Sequence, residues 1–323
     1  MVTALPQPRF LFSLLLLALA GLHSSASAQG REPRPGVYLP PNEQHPAVAL
    51  PIFRQSNHGT YVSVGTERSF IGAALSNAQA LVVIDYDPEV IQFATINRAL
   101  LAASTGREDY IMLRLRAGAE VWRQRAATLS AQDSATLSDP RSWDFWEKAV
   151  RNNTGAWSSA FDHFHTPPKK PQDAFAEADY LFDDTLYLRL RKLARDSRIW
   201  AHVLDLRHEK EVRALCADLK AKGLKEGIID TSNVPDASEA GSVAAGQYFV
   251  WFSSCADDDT LFVNTERANR TSVSYWSYYA FSSKVLKMHD AATISRWIDI
   301  EIKNLKADPE TRALLNDPAA VEH

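Results

Sequence analysis

Along this chain, short and wholly apolar runs alternate with stretches in which apolar side chains recur every three or four positions. That mixture is expected of strands buried on both faces and of helices packed upon them. Thr60 to Val64 is a β-branched and aromatic run that stops at Gly65. Thr66 suits the cap of a helix that carries Phe70, Ile71, Ala74 and Leu75 on one face and ends near Asn77. Ala80 to Ile84 reads as a strand and is followed by Asp85-Tyr86-Asp87. Pro88 then suits a first helical position and Asp87 a cap, for a helix through Val90, Ile91, Ala94, Ile96, Leu100 and Leu101 to about Ser104.

Residues 107–160 carry helical, charged patterning with Trp122, Trp143, Phe145, Trp146 and Trp157 as apolar anchors, and no strand pattern. They read as a helical insertion lying over the strand ends, followed by a loop with Pro167, Pro168 and Pro171. A helix is expected over Asp184 to Asp196, a strand over Ile199 to Leu206, a helix over Glu209 to Lys222 closed by Gly223, and a strand from Gly227 to Asp230. Tyr248 to Ser253 and Thr260 to Thr265 look like two strands joined by the acidic turn Asp257-Asp258-Asp259, and Val273 to Phe281 like one more. The tail is helical, with Ile294, Trp297, Ile298 and Leu305 on one face. Strands alternating with helices predict an α/β fold. It is a Rossmann-like open, mostly parallel sheet with helices on both faces, antiparallel C-terminal edge strands and a helical insertion. The expected boundaries are a leader over 1–28, a Pro-rich arm outside the core over 29–55, the main domain over 56–290 with its insertion and loop at 107–175, and a helical tail over 291–323.

The first residues change the setting. Arg9, the apolar run Phe10 to Leu22 and the small stretch ending Ala26-Ser27-Ala28 have the order of a secretory signal peptide. The expected location is therefore periplasmic or extracellular. No other stretch approaches the length of a membrane span, so none is expected after removal of the leader. Among 323 residues, 35 Lys and Arg face 39 Asp and Glu, and loss of the leader takes the net charge from -4 to -5. No global basic field exists to attract nucleic acid. Export places Cys216 and Cys255 where a disulfide persists; two buried thiols are the alternative.

Candidate chemistry centres on Gly65 and Asp85, which stand 20 positions apart. A glycine at the first strand-to-helix turn lets a ligand approach the backbone. A carboxylate at the end of the next strand can accept hydrogen bonds from both hydroxyls of a ribose. At these residues the sequence resembles the class I S-adenosylmethionine-dependent methyltransferases, through Ile84-Asp85-Tyr86-Asp87-Pro88-Glu89-Val90-Ile91. Within them it is most similar to a poorly characterised bacterial methyltransferase-like group. Val64-Gly65-Thr66-Glu67, Asp85, Asp205 and Ser232-Asn233-Val234 stand where that group has its motifs, over roughly residues 59–266. The resemblance implies S-adenosylmethionine as cofactor. Gly65 would line its amino-acid end, Asp85 would hold its ribose, Asp205 would contact its adenine, and Asn233 would face the transferred methyl group. Glu67, in the same turn as Gly65, joins this set.

Methyl transfer needs in-line alignment and exclusion of water, so no residue type is diagnostic and no general base is assigned. The acceptor, a small molecule or a protein, is open; Asp230, Asn233, Glu67 and the tyrosines Tyr275, Tyr278 and Tyr279 are candidates to touch it. The first loop holds a single glycine where the family has two or three, with Ser63 at the expected first position. A non-catalytic binding module that keeps the fold without a cofactor is therefore the alternative function. A metal-dependent hydrolase using Asp162, His163 and His165, or His202, Asp205 and His208, is a second, although no His-Glu-x-x-His pair is present and no metal site is assigned.

Overall fold

The computed structural model describes residues 46–65, 67–152, 178–236, 241–268, 275–307 and 313–315. The strands are β1 (Thr60–Val64), β2 (Ala80–Asp85), β3 (Ile199–Val203), β4 (Glu226–Asp230), β5 (Leu261–Ala268), β6 (Tyr275–Ser282) and β7 (Ala313–Leu315). They form one seven-stranded sheet in the order β3-β2-β1-β4-β5-β6-β7. From β3 to β5 every pair is parallel; β6 runs antiparallel to β5, and β7 is parallel to β6. The sheet is thus Rossmann-like, open and mostly parallel, with an antiparallel C-terminal edge.

Helices cover both faces because the central strands are apolar at successive positions, which point to opposite sides. Tyr61, Leu81, Val83 and Ile199 enter one core, with the helices α1 (Glu67–Leu75) and α2 (Pro88–Ala103). Val62, Val82, Ile84 and Ile229 enter the other. Asp87 caps α2 through the Glu89 N–H at 2.9 Å, with Pro88 at the first helical position. The insertion helices are α3 (Arg107–Leu115), α4 (Ala119–Ala126), α5 (Ala131–Ser138) and α6 (Pro140–Trp146). They are built into the first core: Tyr110, Trp122 and Trp146 are buried there, and Trp146 stacks on Phe93 of α2 with ring centroids 5.1 Å apart. The expected Trp157 anchor and the Pro-containing loop lie outside the described residues, as does Thr66. The helix α7 (Asp184–Arg195) completes this face, burying Leu186, Tyr187, Leu190 and Leu193.

The second face carries α8 (Glu209–Ala221), α9 (Gly241–Ser253) and α10 (Ala291–Ala307). Here one expected strand is corrected: Tyr248 to Ser253 is the second half of α9. Tyr248, Phe249 and Phe252 are buried, and the helix is apolar on nearly every side. A helix that is apolar on nearly every side has no polar stripe, so its short apolar run cannot be told from a buried strand by periodicity. Gly246 is required by the packing, since a Cβ there would collide with the Ala291 carbonyl oxygen and the Ser295 hydroxyl of α10. The acidic turn 257–259 consequently joins a helix to β5. Lys225 pairs with Asp257 at 3.1 Å and Lys287 with Asp258 at 2.7 Å. β3 ends at Val203, earlier than Leu206, and β6 begins at Tyr275. The end of the expected arm also belongs to the core: Ala49, Ile52 and Phe53 are buried, and Phe53 meets Tyr61 edge-on at 5.8 Å.

Cys216 of α8 and Cys255, just after α9, form a disulfide across 39 positions with Cα atoms 6.1 Å apart. Closing a loop of that length restricts the unfolded chain by about 4 kcal/mol in the chain-entropy limit. Denaturant titration with and without reductant should therefore show oxidised protein about 2–4 kcal/mol more stable, and Cys255→Ser should remove the difference.

Candidate functional site

The register aligns the carboxyl ends of the parallel strands. Val64 pairs with Ile84, Asp85 with Val203, and Ser63 with Asp230. Gly65 follows β1 with φ +97°, a left-handed conformation that strains any residue with a Cβ. Its N–H donates to the Ile84 carbonyl at 3.3 Å. The Asp85 carboxylate accepts from the Asp87 N–H at 3.0 Å and is half-buried at the rim of the sheet. Burial pushes its carboxyl up to about 6, against opposing backbone hydrogen bonds from Asp87, Tyr86 and Gly65. Val203, its register partner on β3, and Tyr86 are both exposed apolar surfaces beside it.

The other expected residues are distributed around this pair. Asp205 follows β3 and is held in place by its own neighbourhood: its N–H donates to Glu211 at 2.8 Å, and its carboxylate takes the Arg207 Nε at 2.9 Å. The Arg207 hydrogen bonds hold its pKa below the usual carboxylate range. Asn233 follows β4 and is half-buried, after Ser232 in a left-handed conformation with φ +55°. Tyr278 and Tyr279 are buried in β6, on opposite faces of the sheet, and Tyr275 begins that strand.

Glu67 is placed apart from Gly65 and Asp85. It is fully buried at the start of α1, where Arg114 of α3 grips both oxygens at 2.8 and 3.2 Å and Tyr180 donates to one of them. Tyr110 donates to Asn97 at 2.5 Å and accepts from Arg114 at 2.9 Å, and the guanidinium lies 5.7 Å from the Phe93 ring and 5.5 Å from that of Trp146. This network fastens the insertion to the first helix after β1. Next to it, Asp179 is fully buried. One carboxyl oxygen accepts from the Leu181 N–H at 2.8 Å, and the other has no hydrogen-bond partner among the described residues. Burial, reinforced by the charge on Glu67, raises its pKa to about 8.

Arg68 of α1 lies against the carboxyl ends of β1 and β4. Its guanidinium lies 3.0 Å from both oxygens of the buried Asp230 and 3.3 Å from the Ser63 hydroxyl and the Val64 carbonyl. Tyr61 also donates to Asp230. A Cβ on Gly65 would come within 3.4 Å of the Arg68 Cδ. Sequence reasoning singled out Asp230 but missed Arg68. A signal existed: a cation in the first turn of a helix opposes the helix dipole and needs a specific anion to hold it. Arg114 and Asp179 carried none, because their partners come from remote segments.

Among the histidines, His202 lies 3.9 Å from Asp218, and His208 lies 2.9 Å from Glu211. These are separate pairs, and among the described residues no group of three or more His, Cys, Asp or Glu is placed to hold a metal ion. His163 and His165 fall outside the described residues. Nor is any described helix long and apolar enough to cross a membrane. A cleft of about 700 Å³ opens at the opposite end of the sheet, lined by Thr60, Gln79, Arg198 and Lys225 at the amino ends of the strands. It is remote from Asp85 and has no part in the carboxyl-end site.

Fold and site together define a Rossmann-like α/β protein with a glycine turn and an acid at adjacent strand ends, the position where open sheets of this kind bind ligands. The chain belongs to the family described as a domain of unknown function (DUF7790), whose model matches residues 38–288. No curated protein matches the chain.

Proposed function

We propose that this chain is an exported, methyltransferase-like protein whose carboxyl-end crevice takes the nucleoside part of S-adenosylmethionine. The observation that supports this most is the joining of Gly65 and Asp85. Bare backbone and a half-buried carboxylate meet at the ends of two neighbouring parallel strands. Asp85 then holds the ribose diol, and Tyr86 and Val203 offer apolar surface beside it. Asp205 and its loop after β3 face the adenine. Glu67 is committed to Arg114 and serves the frame instead of the ligand. The Cys216–Cys255 disulfide suits an oxidising compartment and agrees with export.

The nucleoside end of the cofactor fits these residues. The amino-acid end does not fit the arrangement as it stands, since the Arg68–Asp230 ion pair occupies the carboxyl ends of β1 and β4. No step of methyl transfer is therefore derived. The same ion pair favours the second reading, a non-catalytic binding module that keeps the fold without the cofactor. Calorimetric titration of the disulfide-intact protein with S-adenosylmethionine separates the two. The first reading expects saturable binding in the micromolar range, tightened or unchanged by Arg68→Ala. Folded protein that gives no heat with either S-adenosylmethionine or adenosine establishes the second.

A further inference from the structure

A second cleft, of about 330 Å³, lies between the end of α2, the α4–α5 connection and the last turns of α7. Three arginines line it: Arg125, Arg191 and Arg195. Asp133, the carboxylate in the lining, is already neutralised by the buried Arg98, whose Nε lies 2.8 Å away. Arg125 is paired with Asp109 at 2.9 Å. Arg191 uses its Nε on the Ser104 carbonyl at 2.7 Å, and its two terminal nitrogens have no further partner among the described residues. Arg195 is exposed, with no hydrogen bond or ion pair to any described residue.

The charge balance decides whether this is more than ordinary helix capping. Two unneutralised guanidinium groups remain. Against them stand the carboxyl ends of α2 and α7, worth about half a negative charge each. The amino end of α5, capped by Ser130 in the same lining, returns about half a positive charge. A net positive field is left inside a concave site. Arginines from two separate elements approach it, and a tetrahedral oxyanion offers enough acceptors for all of them, where a carboxylate offers two oxygens.

We propose that this cleft is a binding site for a phosphate or sulfate group carried by a small solute, held by Arg191 and Arg195 and flanked by Arg125. It stands apart from the nucleoside crevice and does not depend on it. The test is thermal unfolding of the full chain in inorganic phosphate, sulfate or acetate, each at ionic strength matched with chloride. Phosphate and sulfate should raise the midpoint saturably and acetate should not. Arg195→Ala, which removes no contact to any described residue, should weaken the apparent affinity roughly tenfold. Arg213→Ala, on α8 and paired with Glu209, should behave as the unsubstituted protein. A shift that does not saturate, that acetate reproduces, or that Arg195→Ala retains in full reflects general salt exclusion and overturns the proposal.

Discussion

Replacing Arg114 with methionine is expected to lower the folding stability by about 3–5 kcal/mol, the cost of leaving a carboxylate buried without its cation. Glu67 is fully buried, and its remaining donor, Tyr180, supplies a hydroxyl and no charge. For a domain of this size the loss corresponds to a fall in melting temperature of roughly 10 °C. The double replacement Glu67→Leu with Arg114→Met removes both charges and should recover most of the loss, because well-packed apolar side chains often match a buried ion pair. A double variant as unstable as the single one would show that the network stabilises through its hydrogen bonds to Tyr110 and Asn97 and not through charge pairing.

The second large effect concerns Asp179 and has a definite pH signature. Its carboxyl titrates near 8 in the folded protein, against an ordinary value of 3.8. The folded state therefore holds this proton more tightly than the unfolded chain. The stability it brings is fully present below about pH 4 and is lost progressively as pH rises to about 8. Asp179→Asn keeps the acceptor for the Leu181 N–H and has no proton to lose. At pH 8 the variant should exceed the unsubstituted protein by on the order of 2–4 kcal/mol, and the difference should vanish near pH 4. Urea midpoints across that range read it directly, and parallel pH profiles would contradict it.

Both effects arise in the insertion and the segment that directly follows it, where sequence patterning is least informative. The strands β1 and β2, the cap Asp87 and the helix after Pro88 are legible because their signals are local: an apolar run, a short polar side chain, a proline at the first turn. The Gly65 and Asp85 pair is legible for a related reason, since a strand-turn-helix-strand unit fixes both positions relative to one sheet. Helix α9 is misread as a strand because apolar residues on nearly every side erase the periodicity that separates the two. The network of Glu67, Arg114, Tyr110 and Tyr180 joins residues up to 113 positions apart. No pattern in a single sequence ties those positions together. Arg68 is the intermediate case: its place at a helix start is locally unfavourable, and only the fold brings Asp230 to it.

The claim on which the functional reading rests is that the Asp85 carboxylate grips a ribose diol, and its pH dependence tests that most directly. Affinity for S-adenosylmethionine should be measured from pH 5 to pH 8 for the unsubstituted protein and for Asp85→Asn. Binding to the unsubstituted protein should weaken as pH falls through about 6, where Asp85 takes up its proton. At pH 7.5 Asp85→Asn should bind about 1–3 kcal/mol more weakly, with a flat profile. Equal affinities at pH 7.5, a pH dependence that survives in Asp85→Asn, or no saturable binding by the folded protein would contradict the account.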